Sequence, residues 1–394
     1  MKNLKKLLLV SVFVFVSIIL TGCFDLNDKT TLAFASFPKE EYEIDEITED
    51  QFLRSIEITV NSKNTYNLKD FKAVGASVSG ITLDQVGKYT LTVTYNGVAI
   101  TFQYRIVEKN EFEAKIGDVN YTTLEEAFAF ANASDTQVTI TLLANKIYRN
   151  VKGTVFTINK GRSVILNLNG YRIYGLLDNS KSVELIKNNG TLIIDDSTTD
   201  KEGALVVEAM YDSDPFNVSV SVISNIGDLT INAGSIINDC GNAGWGSYAI
   251  DSLSGSGEPT VIINGGLVES TLYRAIRLFC NSTTLNNTLI INGGTVSSPN
   301  NNAIWLQNPN SNSNKGTFYL NGGKVLNGGT YEGTPRYPFN GLTASANFEV
   351  VAKGGTVTDC LLDTGYYSEV FAQFVAEGKT IVKNADGTFT ITDN

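Results

Sequence analysis

Between Thr260 and Val325 short apolar runs are broken at regular intervals by the same polar corner. The segments TVIINGGLV (260–268), TLIINGGTV (288–296) and TFYLNGGKV (317–325) share one pattern, with looser copies DLTINAGSI (228–236) before and VVAKGGTV (350–357) after. The second glycine recurs at Gly234, Gly266, Gly294, Gly323 and Gly355, a step of 28 to 32 residues. Each copy opens on a β-rich run such as Leu289–Ile291, turns at Asn-Gly-Gly, and restarts with a run such as Thr295–Ser297. Asn and Gly tolerate the left-handed backbone of a tight corner. A third run follows about ten residues on, at Tyr248–Asp251, Arg274–Arg277 and Asn302–Trp305. Three strands per repeat with no helical period between them predict a parallel β-helix in which each coil pairs with the next. A leucine ladder or a four-stranded blade of about 40 residues would mark the competing repeat folds.

The alternation is different from Glu40 to Val107. Ser55–Val60, Lys88–Tyr95 and Ile100–Val107 read as strands, the last two joined by the hairpin signal Asn96-Gly97. With no helical period in about 70 residues, residues 40–109 are expected to form a small β-sandwich. The acidic segment from Glu40 to Asp50 reads as a solvated edge. Calcium is the cofactor it would admit, but it lacks the alternating ligand spacing of a calcium loop. Between the two regions, Leu124, Ala127, Phe128 and Ala131 have helical spacing behind a capping box of Thr122 or Thr123 with Glu125 or Glu126. Such a helix would close the N-terminal edge of the solenoid within residues 113–143. A helix over Tyr367–Glu377, with a hairpin of Thr380–Lys383 and Thr388–Thr392, would close the other end within residues 361–394.

At the N-terminus Lys2, Lys5 and Lys6 precede an apolar run from Leu7 to Leu20, too short for a comfortable span and shaped like a secretory signal. Loss of residues 1–22 removes three lysines and takes the formal charge from −11 to −14. That balance argues against nucleic acid as a partner. Residues 24–39 read as a polar tether. Cys240, Cys280 and Cys360 are expected to be buried free thiols, and the absence of His excludes zinc held through histidine.

Three resemblances follow from these residues. The Gly-corner repeat from Ser163 to Cys360 resembles the right-handed parallel β-helices of the pectin-lyase-like class on bacterial surfaces. The phrase from Val86 to Gly97 resembles bacterial Ig-like domains of the group 3 type, which usually act as spacers. Leu20-Thr21-Gly22-Cys23 resembles a lipobox, which implies a lipid on Cys23, residues 23–39 as its tether, and an extracytoplasmic protein anchored to the bacterial membrane. The expected fold class is therefore all-β: an Ig-like sandwich followed by a capped right-handed β-helix over residues 113–394.

Alternation along the third strands sends Asp251, Arg277 and Trp305 to one outward column, with Gln307 beyond and Tyr273, Arg274 and Trp245 in nearby turns. An exposed aromatic flanked by Arg, Asp and Asn suits sugar binding, with a sugar ring stacked on the indole and polar side chains at its hydroxyls. The expected function is adhesin-like, non-catalytic binding of a glycan or cell-surface ligand. An ordinary solenoid face with a surface Asp251–Arg277 pair of small energetic consequence is the plainer reading, as is a structural surface-layer role. As an enzyme, the resemblance implies a polysaccharide lyase with Arg274 or Arg277 as base, or a glycoside hydrolase. The latter needs two carboxyl groups about 5–10 Å apart, for which Asp239, Asp251 and Glu269 are candidates. No metal ligand set stands out.

Overall fold

A computed structural model describes residues 30–36, 41–44, 47–108, 110–177, 182–209, 219–240, 246–308, 316–328, 330–331, 334–341, 348–359, 361–363 and 368–394. The signal segment, Cys23, most of the tether, Trp245 and Cys360 lie outside the described residues. The chain divides into two units, Met1–Asn110 and Glu111–Asn394.

The first unit holds two sheets. Leu32–Ser36, Glu57–Val60 and Asn64–Asn67 pair antiparallel. Val98–Val107 lies between Glu41–Glu43, which runs parallel to it, and Gly87–Tyr95, which Ser77–Ser79 follows. The expected hairpin is present, with Asn96 and Gly97 both at positive φ. Contrary to the expectation of strands alone, Glu49–Arg54 and Leu68–Ala73 are helices. Each is six residues long, too short to show a period, and each buries only two apolar side chains, Phe52 with Leu53 and Leu68 with Phe71. Their caps were readable: Thr48 and Gln51 form a capping box, and Asn67 accepts from the Asp70 N–H. Glu49 and Asp50, taken as part of a solvated edge, occupy a helix first turn, where negative charge is favourable.

The second unit is a parallel β-solenoid. Its strands form three long sheets of ten, ten and nine members. A first face runs through Val138–Leu142, Ser163–Asn167, Thr191–Asp195 and onward to Phe348–Ala352; a second runs from Lys146–Val151 to Thr356–Val357; a third runs from Gly153–Ile158 to Leu361–Asp363. Inward residues of all three make one continuous apolar core, from Leu124 in the N-terminal helix to Ile391 in the final strand. The all-β class and the repeat architecture are therefore as the sequence pattern indicated.

The corner between the first and second faces explains the Asn-Gly-Gly phrase. Gly294 has φ +71°, and a Cβ on Gly293 would lie 2.3 Å from the Asn264 carbonyl oxygen in the preceding coil. One glycine supplies the left-handed bend and the other the close approach between coils. The asparagines form an exposed ladder: Asn264 donates to the Asn232 side chain at 3.0 Å, Asn292 to Asn264 at 2.9 Å and Asn321 to Asn292 at 2.9 Å. In an earlier coil Asp196 has the same cornering role. Its buried carboxylate accepts from the Gly170 N–H (3.0 Å), the Thr198 N–H (3.0 Å), the Thr198 hydroxyl (2.7 Å) and the Gly203 N–H (2.7 Å). Burial pushes its pKa up, but these donors outweigh that push and hold it below the usual carboxylate range. Asp196→Ala is expected to cost about 3 kcal/mol, because it orphans several buried donors. Because the folded pKa is depressed, the wild-type contribution is complete above the unfolded value near ~3.9 and is lost as pH falls through the folded one. A urea-melt series from pH 6 to pH 2 should show the variant's deficit shrinking at the acid end.

Both ends of the solenoid are closed. At the N-terminal end Ala114–Ile116 pairs antiparallel with Val138–Leu142, and the helix Leu124–Ala133 carries the expected capping box at Thr123 and Glu126. At the C-terminal end the hairpin Lys379–Lys383 with Phe389–Asp393 pairs antiparallel with Thr356–Val357. The helix expected over Tyr367–Glu377 is replaced by strand Ser368–Val370 and a 3-10 turn, Phe371–Phe374. Ser368–Val370 fills the open edge at Leu361–Asp363, and Phe371 inserts into the core, stacking on Phe339 at 4.9 Å. Pairing an otherwise bare sheet edge outweighs local helix preference here.

Candidate functional site

The third face is bent. In each of five successive coils two consecutive residues point into the core: Leu185–Ile186, Val222–Ile223, Ala249–Ile250, Ala275–Ile276 and Ala303–Ile304. The bend breaks the two-residue alternation, so outward side chains are spaced by three: Glu184 and Lys187, Ser221 and Ser224, Tyr248 and Asp251, Arg274 and Arg277. Two outward columns result. One aligns Thr154, Glu184, Ser221, Tyr248 and Arg274. The other aligns Lys187, Ser224, Asp251, Arg277 and Trp305. The Asp251–Arg277–Trp305 column was legible from the sequence. The other, apart from Arg274, was not, because simple alternation assigns no outward side chain at these positions.

The strip is far less exposed than an open solenoid face. Asp251 retains 4% of its surface and Tyr248 1%, although neither belongs to the solenoid core. Arg277 grips Asp251 with both arms, Nε to Oδ1 at 2.7 Å and Nη2 to Oδ2 at 2.6 Å. Its guanidinium lies 4.6 Å from the Tyr248 ring and 4.9 Å from that of Phe279. Burial pushes the Asp251 carboxyl above its ordinary value; Arg277 pulls it down, and the Glu184 charge adds to the upward push. Burial also works against the charge on Arg277, but the bonds and charge of Asp251 outweigh it and raise its pKa. The pair is thus a desolvated ion pair and not the surface pair of small consequence.

On the same strand as Arg277, Arg274, 9% exposed, lies 4.1 Å over the Trp305 ring and 4.6 Å over Tyr273, whose hydroxyl accepts from it. Trp305 therefore has one face occupied by a guanidinium and is no open platform. The buried atoms Arg274 Nε, Trp305 Nε1 and Gln307 Oε1 have no hydrogen-bond partner among the described residues. Arg274 sits within the strand Arg274–Phe279 instead of a turn.

Beside the Asp251 pair, toward the N-terminal coils, the third face opens into a cleft of about 210 Å³. Its polar lining is Thr154, Ser182, Glu184, Ser219, Ser221 and Asp251. Thr154 donates to Glu184 Oε2 at 2.7 Å, and Lys187 stands 3.9 Å from the same oxygen. The side chain of Ser221, 3% exposed, has no hydrogen-bond partner among the described residues. Thr154, Glu184 and Ser221 are site residues that sequence reasoning missed.

Asp239 and Glu269 are not brought to this cleft. They belong to the second-face strands Ser235–Asp239 and Leu267–Ser270. Asp239 registers with Glu208 and accepts from the Thr271 hydroxyl at 2.8 Å, whereas Glu269 registers with Ile237 and Ser297. Burial, and then the Asp239 charge, raise the Glu208 pKa. The acid nearest in register to Asp239 is thus Glu208 and not Asp251. Cys240 and Cys280 are buried free thiols, and burial pushes the Cys280 pKa up to about 12. Among the described residues no three His, Cys, Asp or Glu side chains gather as metal ligands would. No family model, curated protein or solved structure matches the chain.

Proposed function

We propose that this protein is a lipid-anchored surface protein that binds a glycan in the third-face cleft of its β-solenoid. The observation that carries the reading is the cleft itself. Thr154, Ser182, Ser219 and Ser221 line one space together with the carboxylate residues Glu184 and Asp251, a polar wall of the kind that the hydroxyl groups of a sugar require. The adjoining strip of Tyr248, Arg277, Arg274, Tyr273 and Trp305 fixes this wall, because its stacked side chains hold one another in place. The lipobox-like Leu20–Cys23 supports attachment to the membrane through Cys23, outside the cytoplasm. The N-terminal β unit serves as an Ig-like spacer, and the solenoid belongs with right-handed pectin-lyase-like helices. Binding is adhesin-like and needs no cofactor.

A glycan microarray probed with the purified protein, with and without calcium, tests this. Ser182→Phe fills the cleft from an exposed position of its wall and should lower binding at least tenfold with an unchanged melting curve. An array blank for the wild type sinks the glycan reading. Glycoside hydrolysis is a second reading, favoured because Glu184 and Asp251 line the same cleft. It requires that the best array ligand be shortened on incubation and that Glu184→Gln stop this without loss of binding.

A further inference from the structure

Resting on the glycan reading, we propose that the sugar held in this cleft carries a free, protonated amino group, which sits between Glu184 and Asp251. Both charged residues lining the cleft are carboxylates. Their basic neighbours do not line it: Arg277 spends its Nε and one terminal nitrogen on Asp251, and Lys187 approaches Glu184 only at 3.9 Å. Each Asp251 oxygen accepts one bond from Arg277, and Glu184 accepts at Oε2 from Thr154. An ionised carboxylate has about four acceptor positions, so both acids retain unused ones. An ammonium supplies three donors and no acceptor.

Ser221 is the independent pointer to a ligand. The residue is almost wholly buried, it lines the cleft, and its side chain has no hydrogen-bond partner among the described residues, so its hydroxyl is left to meet whatever occupies the cleft. The electrostatics agree in direction: after burial, the Glu184 charge adds to the upward push on the Asp251 carboxyl, and a cation between the two would oppose it. A uronate would add a third negative charge to the same space. An N-acetyl group would replace the cation with a neutral amide and add bulk in a cleft of about 210 Å³, below the usual ~300 Å³ floor of ligand pockets. The size suits one sugar ring.

The test is a titration of the full-length protein with glucosamine, glucose, N-acetylglucosamine, glucuronate and Nα-acetyl-lysine amide, followed by saturation-transfer NMR. Glucosamine should bind at least tenfold tighter than glucose, and N-acetylglucosamine and glucuronate should bind more weakly still. Glu184→Gln, at a partly exposed position, should lower glucosamine affinity about tenfold, the size of one charge-assisted hydrogen bond, and glucose affinity by clearly less, so that the preference for glucosamine shrinks. Equal affinity for glucose and glucosamine would overturn the charge selection and leave the glycan reading standing. Binding of no sugar would overturn both, and acetyl-lysine amide binding as well as glucosamine would overturn the assignment to a sugar.

Discussion

Arg277→Met is expected to destabilise the solenoid by about 3–5 kcal/mol, the range for removing one partner of a buried ion pair. Asp251 is the reason. At 4% exposure its carboxylate would keep the desolvation cost and lose both Arg277 hydrogen bonds. The reverse change, Asp251→Asn, should cost less, since the Arg277 side chain retains 18% of its surface and still stacks on Tyr248 and Phe279. Removing both charges in Asp251→Leu/Arg277→Met should recover most of the loss, because no buried charge is then left unpaired. Urea melts of the three variants read this directly. A cost below ~1 kcal/mol for Arg277→Met would mean the pair behaves as a surface salt bridge, and the desolvated strip would have to be abandoned.

The second large effect is at the corners. Gly293→Ala places a methyl group 2.3 Å from the Asn264 carbonyl oxygen. That oxygen is backbone of the neighbouring coil and cannot swing aside. Relief requires the coils to part, which strains the Gly293 and Asn292 N–H bonds to Ile263 at 3.2 and 2.8 Å and the side-chain ladder between Asn292 and Asn264. Overpacking of this kind should cost about 3 kcal/mol. Gly341→Ala is the control: a Cβ there meets no heavy atom within 4 Å, so its effect should stay within about 0.5 kcal/mol. Equal effects at the two glycines would show that coil spacing is not what the Asn-Gly-Gly phrase enforces.

What could be read from the sequence divides along physical lines. The corners were legible because backbone geometry leaves few residue choices there, and their spacing gave the repeat. The N-terminal helix was legible because its cap and four inward residues, Leu124, Ala127, Phe128 and Ala131, are local signals. The column Asp251–Arg277–Trp305 was legible because the Ala-Ile pairs before these residues fix the register between coils. Its burial was not, since exposure depends on what the rest of the chain lays beside a strand. Glu184 and Ser221 escaped notice because a bend puts Leu185–Ile186 and Val222–Ile223 both inward, which period-two reasoning cannot represent. Asp239 and Glu269 were grouped with Asp251 by coil number alone, whereas the face of the solenoid decides which side chains meet. The Ser368–Val370 strand owes its form to a sheet edge built by residues far from it in sequence.

The most direct test of the third-face cleft is amide hydrogen exchange with and without the strongest array ligand. Protection should rise in Val183–Asn188, Val220–Asn225 and Ser247–Leu253, the strands that carry Glu184, Ser221 and Asp251, and should be absent in the Ser182→Phe variant. Protection confined to the first face or to residues 41–108, with these three strands unchanged, would contradict the account.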